Sequence, residues 1–266
     1  MDPWREPEWF LLDYAKPVKA SSSAEGKGPD QAVNEDATTW WRANTADRGQ
    51  WLEVDLEHTM DVRAVQINFA DDELPIESPG EIRGNAAQPR YIEERELTTR
   101  WILEGSEDGI TYFMIEDKSQ ADTDLPHDLI VREDGISVRY LRLTILKIPY
   151  DVTPCISGFR VFGIGTGEKP SIPVFTADRS EDALDLLVEI QGKNDAVGYN
   201  ILWGHEEAKL YHSYQIYRKP EDVQDGKETG IKQKIGALVK NQDYFVRVDA
   251  YNENGITKGT TVKLKR

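Results

Sequence analysis

The residues best equipped for chemistry sit together at 34–43, NEDATTWWRA: two carboxylates, two hydroxyls, adjacent tryptophans and an arginine. Four roles fit such a set: a cation loop, a catalytic acid pair, an aromatic platform for a sugar, or the lip of a folded core. A hard cation such as calcium takes carboxylate, hydroxyl and main-chain oxygens from an irregular loop. Asn34, Asp36 and Thr39 offer such oxygens, but not at EF-hand spacing, so an ordinary Asx-rich turn is the simpler reading. An acid pair draws no support from proximity, because 48 Asp and Glu residues make close pairs inevitable. The tryptophans are more telling. In an extended segment neighbouring side chains point to opposite faces, so if Trp41 faces inward, Trp40 faces out. Trp41, Trp51 and Trp101 are assigned to packing. Trp40 beside Arg42 suits stacking of a pyranose ring with hydrogen bonds to its hydroxyls, or else covers the mouth of a sandwich.

Other chemistries are excluded by type and spacing. His58, His127, His205 and His212 stand at no transition-metal spacing. EGSEDG at 104–109 is not a nucleophile elbow, and GIGTG at 163–167 follows a strand with no helix after it, which makes it a linker and not a phosphate loop. A net charge of −16, from 48 acidic against 32 basic residues, repels polyphosphates and anionic lipid, so nucleic acid is not a partner. No run of apolar residues is long enough for membrane insertion. Cys155 is the single cysteine, so no internal disulfide forms.

The elements that must position these residues are strands. In WLEVDL (51–56), VRAVQINF (62–69) and RYLRLTIL (139–146) apolar residues alternate with polar ones, the mark of half-buried strands. GFRVFG (158–163) closes the set, and EDG at 107–109 and at 133–135 predicts two tight turns. No segment of helical length has a 3.6 period, so the chain is expected to be all-β. The 266 residues suggest two domains, and GIGTGEKPSIP (163–173) is the natural boundary. Beyond it, short strands at 183–191, 198–204, 210–217 and 244–252 suggest an immunoglobulin-like or fibronectin-like sandwich. Residues 71–98 read as a long charged insertion, either disordered or a carrier of binding groups.

Taken in order, KPVKASSS (16–23), AVNEDATTWW (32–41), GQWLEVDL (49–56), WILEGSEDGITY (101–112), RYLRLTIL and ISGFRVFGIG (156–165) resemble the discoidin, or coagulation factor 5/8 type C, domain. That family is a jelly-roll β-sandwich and includes carbohydrate-binding module family 32. In its calcium-binding members, loop aspartates, a threonine and a glutamate of the last strand are ligands. Here Asp36 and Thr39 remain, Asn34 and Glu35 replace an Asp-Gly pair, and the glutamate position is Gly158. The resemblance therefore implies no required cofactor, with calcium as the one candidate, at Asn34, Asp36 and Thr39. LVKNQDYFVRVDAYNENGIT (238–257) resembles a fibronectin type III strand pair, with Leu238 and Tyr244 at the tyrosine-corner positions and Tyr244, Val246, Val248 and Ala250 facing the core. LLDYAKPVKASSS, VQINFADDE, DTDLPHD and GYNILWG resemble the region after the catalytic propeller in glycoside hydrolase family 43-type proteins of Bacteroidetes.

These readings set the expectations. Residues 1–13, with no signal-peptide pattern, are a linker or the tail of an upstream domain; 14–166 form a discoidin-like jelly roll, 167–172 a linker and 173–266 a fibronectin type III-like sandwich. The chain is expected to be a non-catalytic accessory region of a secreted, periplasmic or cell-surface glycoside hydrolase. It binds a plant or host glycan through Trp40, Arg42, Tyr91, His127 and Asp128, or else serves as a structural module against a propeller or as an adhesion module.

Overall fold

The computed structural model describes residues 9–74, 81–83, 90–92, 97–191, 195–218, 223–224, 227–228, 230–236 and 238–264, with backbone alone for 81–83, 90–92, 223–224 and 227–228. The chain divides into two units, Leu11–Gly163 and a second that contains Ile164–Arg266. Both are all-β: the described residues hold strands and two short 3-10 turns, Pro29–Ala32 and Pro149–Asp151. Among them no helix is long and apolar enough to cross a membrane.

Two long strands organise the first unit. β4 (Gln50–Phe69) and β9 (His127–Lys147) pair antiparallel along nearly their whole length. Their early and late halves belong to different layers. In one layer the start of β4 and the end of β9 are joined by β2 (Val18–Ala20), β7 (Arg100–Ser106) and β8 (Phe113–Asp117). In the other, the end of β4 lies between the start of β9 and β10 (Cys155–Ile164), followed by β1 (Phe10–Leu11), with β3 (Trp41–Arg42) also on β10. Gly163 lets β10 approach closely, since a Cβ there would fall 2.0 Å from the Asp61 carbonyl oxygen. A small pair, β5 (Glu81–Arg83) and β6 (Arg90–Ile92), stands in the insertion.

The expected alternation holds: Leu52, Val54, Leu56, Leu141 and Leu143 are fully buried with Ile67, Leu103, Phe159 and Val161. Each such side chain contributes about 1.5–3 kcal/mol by leaving water. Two expectations need correction. WLEVDL and VRAVQINF form one strand, bent where the register slips between Asp55 and Met60 and between Val62 and Ala64. EDG at 133–135 is no chain-reversing turn; it lies inside β9, where Gly135 at φ +76° supplies the bulge opposite the second slip. EDG at 107–109 does turn the chain, with Asp108 Oδ1 accepting from the Ile110 and Thr111 N–H groups at 2.8 Å.

The second unit stacks two sheets. One is β11 (Val174–Arg179), β12 (Asp185–Gln191) and β17 (Ile231–Gly236); the other runs β14 (His212–Tyr217), β13 (Gly198–Gly204), β18 (Phe245–Asn252), β19 (Gly255–Thr257), with β20 (Val262–Lys263) on β18. β15 (Val223–Gln224) and β16 (Lys227–Glu228) pair by themselves. Tyr244, Val246, Val248 and Ala250 enter the core with Leu186, Ile190, Ile201 and Trp203, and the Tyr244 hydroxyl accepts the Val239 N–H at 3.2 Å.

Candidate functional site

Because β4 and β9 bend, both ends of each return to the same end of the first sandwich. Gln50 opens β4 opposite Ile145, while at its other end Phe69 donates its N–H to the Pro126 carbonyl. Ala70 N–H reaches Cys155 O, Asn44 N–H reaches Ser22 Oγ, and Thr99 N–H reaches Thr123 O. The loops 21–28, 34–49, 70–74, 97–99 and 118–126 therefore gather there.

The 34–39 loop is closed on itself. Asn34 Oδ1 accepts the Asp36 N–H, Asn34 Nδ2 donates to Thr39 Oγ1, and Thr39 Oγ1 donates to Asp36 O. Asp36 Oδ1 takes both the N–H and the hydroxyl of Thr38. Glu35, at φ +59°, turns its carboxylate to Arg160 Nε at 2.7 Å. Gly158 stands against Asn68, whose amide nitrogen would lie 2.8 Å from any added Cβ. These residues do not fit calcium: the loop oxygens already serve N–H and O–H donors, and Arg160 supplies the local positive charge. Among the described residues no group of three or more His, Cys, Asp or Glu could hold a metal.

Trp41 and Trp40 take opposite environments. Trp41 is wholly buried and donates its indole N–H to Ser22 O at 3.0 Å. Trp40 is half-buried; its indole N–H bonds Asp72 Oδ2 at 2.9 Å and the Lys27 ammonium lies 3.4 Å from its ring centroid. Arg42 pairs with Glu73 at 2.6 Å, while its Nε is buried with no hydrogen-bond partner among the described residues. Asp72 and Glu73, the first turn of the insertion, are thus fastened to the rim. Beneath them, burial pushes the Cys155 thiol up to about 12, leaving it unreactive.

A cavity of about 440 Å³ opens on this end, lined by Thr99, Trp101, Asp117, Lys118, Asp122 and Asp128 among others. Its volume suits a small ligand. Lys118 is turned to Glu116 at 3.4 Å, and hydrogen bonds from the Ser119 hydroxyl and N–H hold the Asp117 carboxyl below its ordinary range. The lining is consequently rich in acceptors. Asp128 reaches this cavity, and His127, its neighbour on β9, is exposed. Arg42, Cys155, the end of β4 and His127 follow on successive strands, so Arg42 and His127 stand three strands apart. The structure therefore places Trp40 with Arg42, and His127 with Asp128, as two groups on one end. Tyr91 lies in β6, and its side chain is outside the described residues.

Sequence reasoning missed Lys27, Asp72 and Glu73, and most of the cavity lining. It also assigned Trp51 to packing. Trp51 is instead half-exposed on the outer face of β4, with the Arg142 guanidinium 5.0 Å from its ring and 4.2 Å from that of Tyr112. Its place on the Glu53 side of the strand alternation was the available signal. Glu53 holds this array together, accepting from Tyr112 at 2.5 Å and Arg142 at 2.9 Å; burial and that bond push the Tyr112 phenol up to about 12.

Comparison with known proteins finds likenesses to the first unit. Residues 17–80 match the F5/8 type C domain family, the discoidin type that the motifs of the first unit resemble. Among solved structures, chitosan-binding module 1 of a chitosanase/glucanase from Paenibacillus sp. IK-5 is similar at 18% identity and TM-score 0.43, over 58% of this chain and 99% of that one. The family 32 carbohydrate-binding module of NanJ from C. perfringens, solved with galactose, is similar at 14% identity and TM-score 0.43, over 58% and 98%. The CBM32 of AlyQ, solved with 4,5-unsaturated mannuronic acid, is similar at 16% identity and TM-score 0.40, over 57% and 97%. No curated protein sequence matches the chain.

Proposed function

We propose that the chain is a non-catalytic carbohydrate-binding region of discoidin type, which takes its glycan at the loop end of the first sandwich. The observation that carries this reading is the presence, on that end, of both an aromatic and charged rim at Trp40 and Arg42 and an acceptor-lined cavity that Asp128 reaches. It occurs in the unit whose residues 17–80 match the F5/8 type C family. Sugar hydroxyls find acceptors in Asp117, Asp122 and Asp128 and donors in Thr99, Thr123 and Gln120, while Trp101 and Leu125 supply apolar lining. The net charge of −16 favours a neutral glycan over a polyanion. The second sandwich is read as a fibronectin type III-like spacer, supported by its two-sheet arrangement and the Tyr244 contact. Tethering to a glycoside hydrolase catalytic domain outside the cell would raise a modest affinity by local concentration.

Affinity electrophoresis of the full chain through gels containing arabinan, xylan, galactan or mucin tests this. At least one polymer is expected to retard the chain, and Asp128→Ala is expected to relieve the retardation. Equal mobility in every gel would remove the reading. One observation favours a docking role instead: Leu129 and Val131, on one face of β9, are 57% and 41% exposed.

A further inference from the structure

A row of aromatic rings runs across one end of the second sandwich. Trp203, next to the last residue of β13, faces His212, opening β14, and their rings stack with centroids 5.3 Å apart and planes 21° apart. Tyr211 lies 4.8 Å from His212 and 6.1 Å from His205, and His205 lies 4.3 Å from Tyr244. The order is Trp203, His212, Tyr211, His205, Tyr244. The two outer rings are buried, at 5% and 2% exposure, whereas the middle three are exposed, Tyr211 by 46%. Tyr214 shares the His212 side of β14 and is 42% exposed. Buried ends anchor the exposed centre, so little freedom is lost when a ligand settles on it. Trp203 Nε1 is buried with no hydrogen-bond partner among the described residues, an arrangement rare in folded proteins.

We propose that this row is a second carbohydrate platform, centred on Tyr211 and independent of the first sandwich. The chemistry selects the occupant. Three exposed rings present apolar faces, edged by imidazole nitrogens and phenol oxygens that exchange hydrogen bonds with hydroxyls. Of the nearby charges, Glu206 and Lys209 pair with each other at 3.0 Å, and the Arg179 guanidinium lies 5.3 Å from the buried Tyr244 ring. A neutral hexopyranose sets its C–H face on Tyr211 and its hydroxyls against His205 and His212.

The test uses the full chain with ¹³C-labelled Tyr and His rings, titrated separately with cellohexaose, mannohexaose, chitohexaose and a galactan oligosaccharide. At least one sugar is expected to shift the Tyr211, His205 and His212 signals. Trp40→Ala keeps the response, Tyr211→Phe keeps it because the ring remains, and Tyr211→Ala weakens it at least about tenfold. Because Tyr211 is half-exposed, the melting temperature of Tyr211→Ala should match the wild type; His212→Ala is a second variant with the same expected loss. Silence of these rings toward all four sugars overturns the proposal. So does a response undiminished in both alanine variants, or one elicited by a proline-rich peptide and by no sugar.

Discussion

Trp41 and Trp40 show how one position along a strand separates stability from recognition. Trp41 is buried on every side, so Trp41→Ala is expected to lower stability by about 3–5 kcal/mol in urea unfolding. Trp40→Ala, at a half-buried rim, should change it by less than about 1 kcal/mol; equal losses would make Trp40 a core residue. Their opposite facing was legible, because alternation alone dictates it. The partners of Trp40 were not, since Lys27 and Asp72 lie far away in sequence and nothing local marks them. Asp13 was equally silent. It is buried, accepts the Val161 N–H at 2.8 Å, and burial raises its carboxyl well above the ordinary 3.8. A raised folded value favours the folded state below the ordinary value, and that contribution is lost as pH rises through the folded value. Asp13→Asn keeps an acceptor for Val161 and removes the ionisation. Its stability relative to wild type should rise from pH 4 to pH 7 in urea titrations, and a difference constant with pH would contradict the assignment.

At the level of elements, strands were readable from their period of two, but the course of the two longest was not. A turn and a bulge use the same chemistry, a glycine at positive φ after polar residues, so EDG at 133–135 reads locally like EDG at 107–109. Only the pairing of β9 with β4 separates them. Gly135→Ala forces a side chain into positive φ with its Cβ 1.8 Å from Asp61 Oδ1. It should destabilise the first sandwich by more than about 1 kcal/mol, and a neutral effect would show that the bulge is relaxed easily. In the second sandwich Tyr244→Phe leaves the Val239 N–H without its acceptor and should cost about 0.5–1.5 kcal/mol. An unchanged urea midpoint would mean that the hydroxyl contact does not brace the end of β18.

For the whole molecule, the bends of β4 and β9 matter more than any single residue, because they return five loops to one end and there assemble rim and cavity. The motif order at 16–165 made the first sandwich recognisable, and the pattern at 238–257 marked the core face of β18. The cavity lining was not recognisable, since its residues come from β7, β8, the loop after it and β9, and meet only through folding. A net charge of −16 acts at this scale too, steering polyanions away and leaving neutral ligands unaffected. The central claim is that this end binds glycan. Its most direct measurement is isothermal titration of the full chain with the oligosaccharides that bind it best on a glycan array. The account predicts saturable binding, weakened at least about tenfold in both Trp40→Ala and His127→Ala with folding intact. Absence of any sugar ligand, or wild-type affinity in both variants, would contradict it.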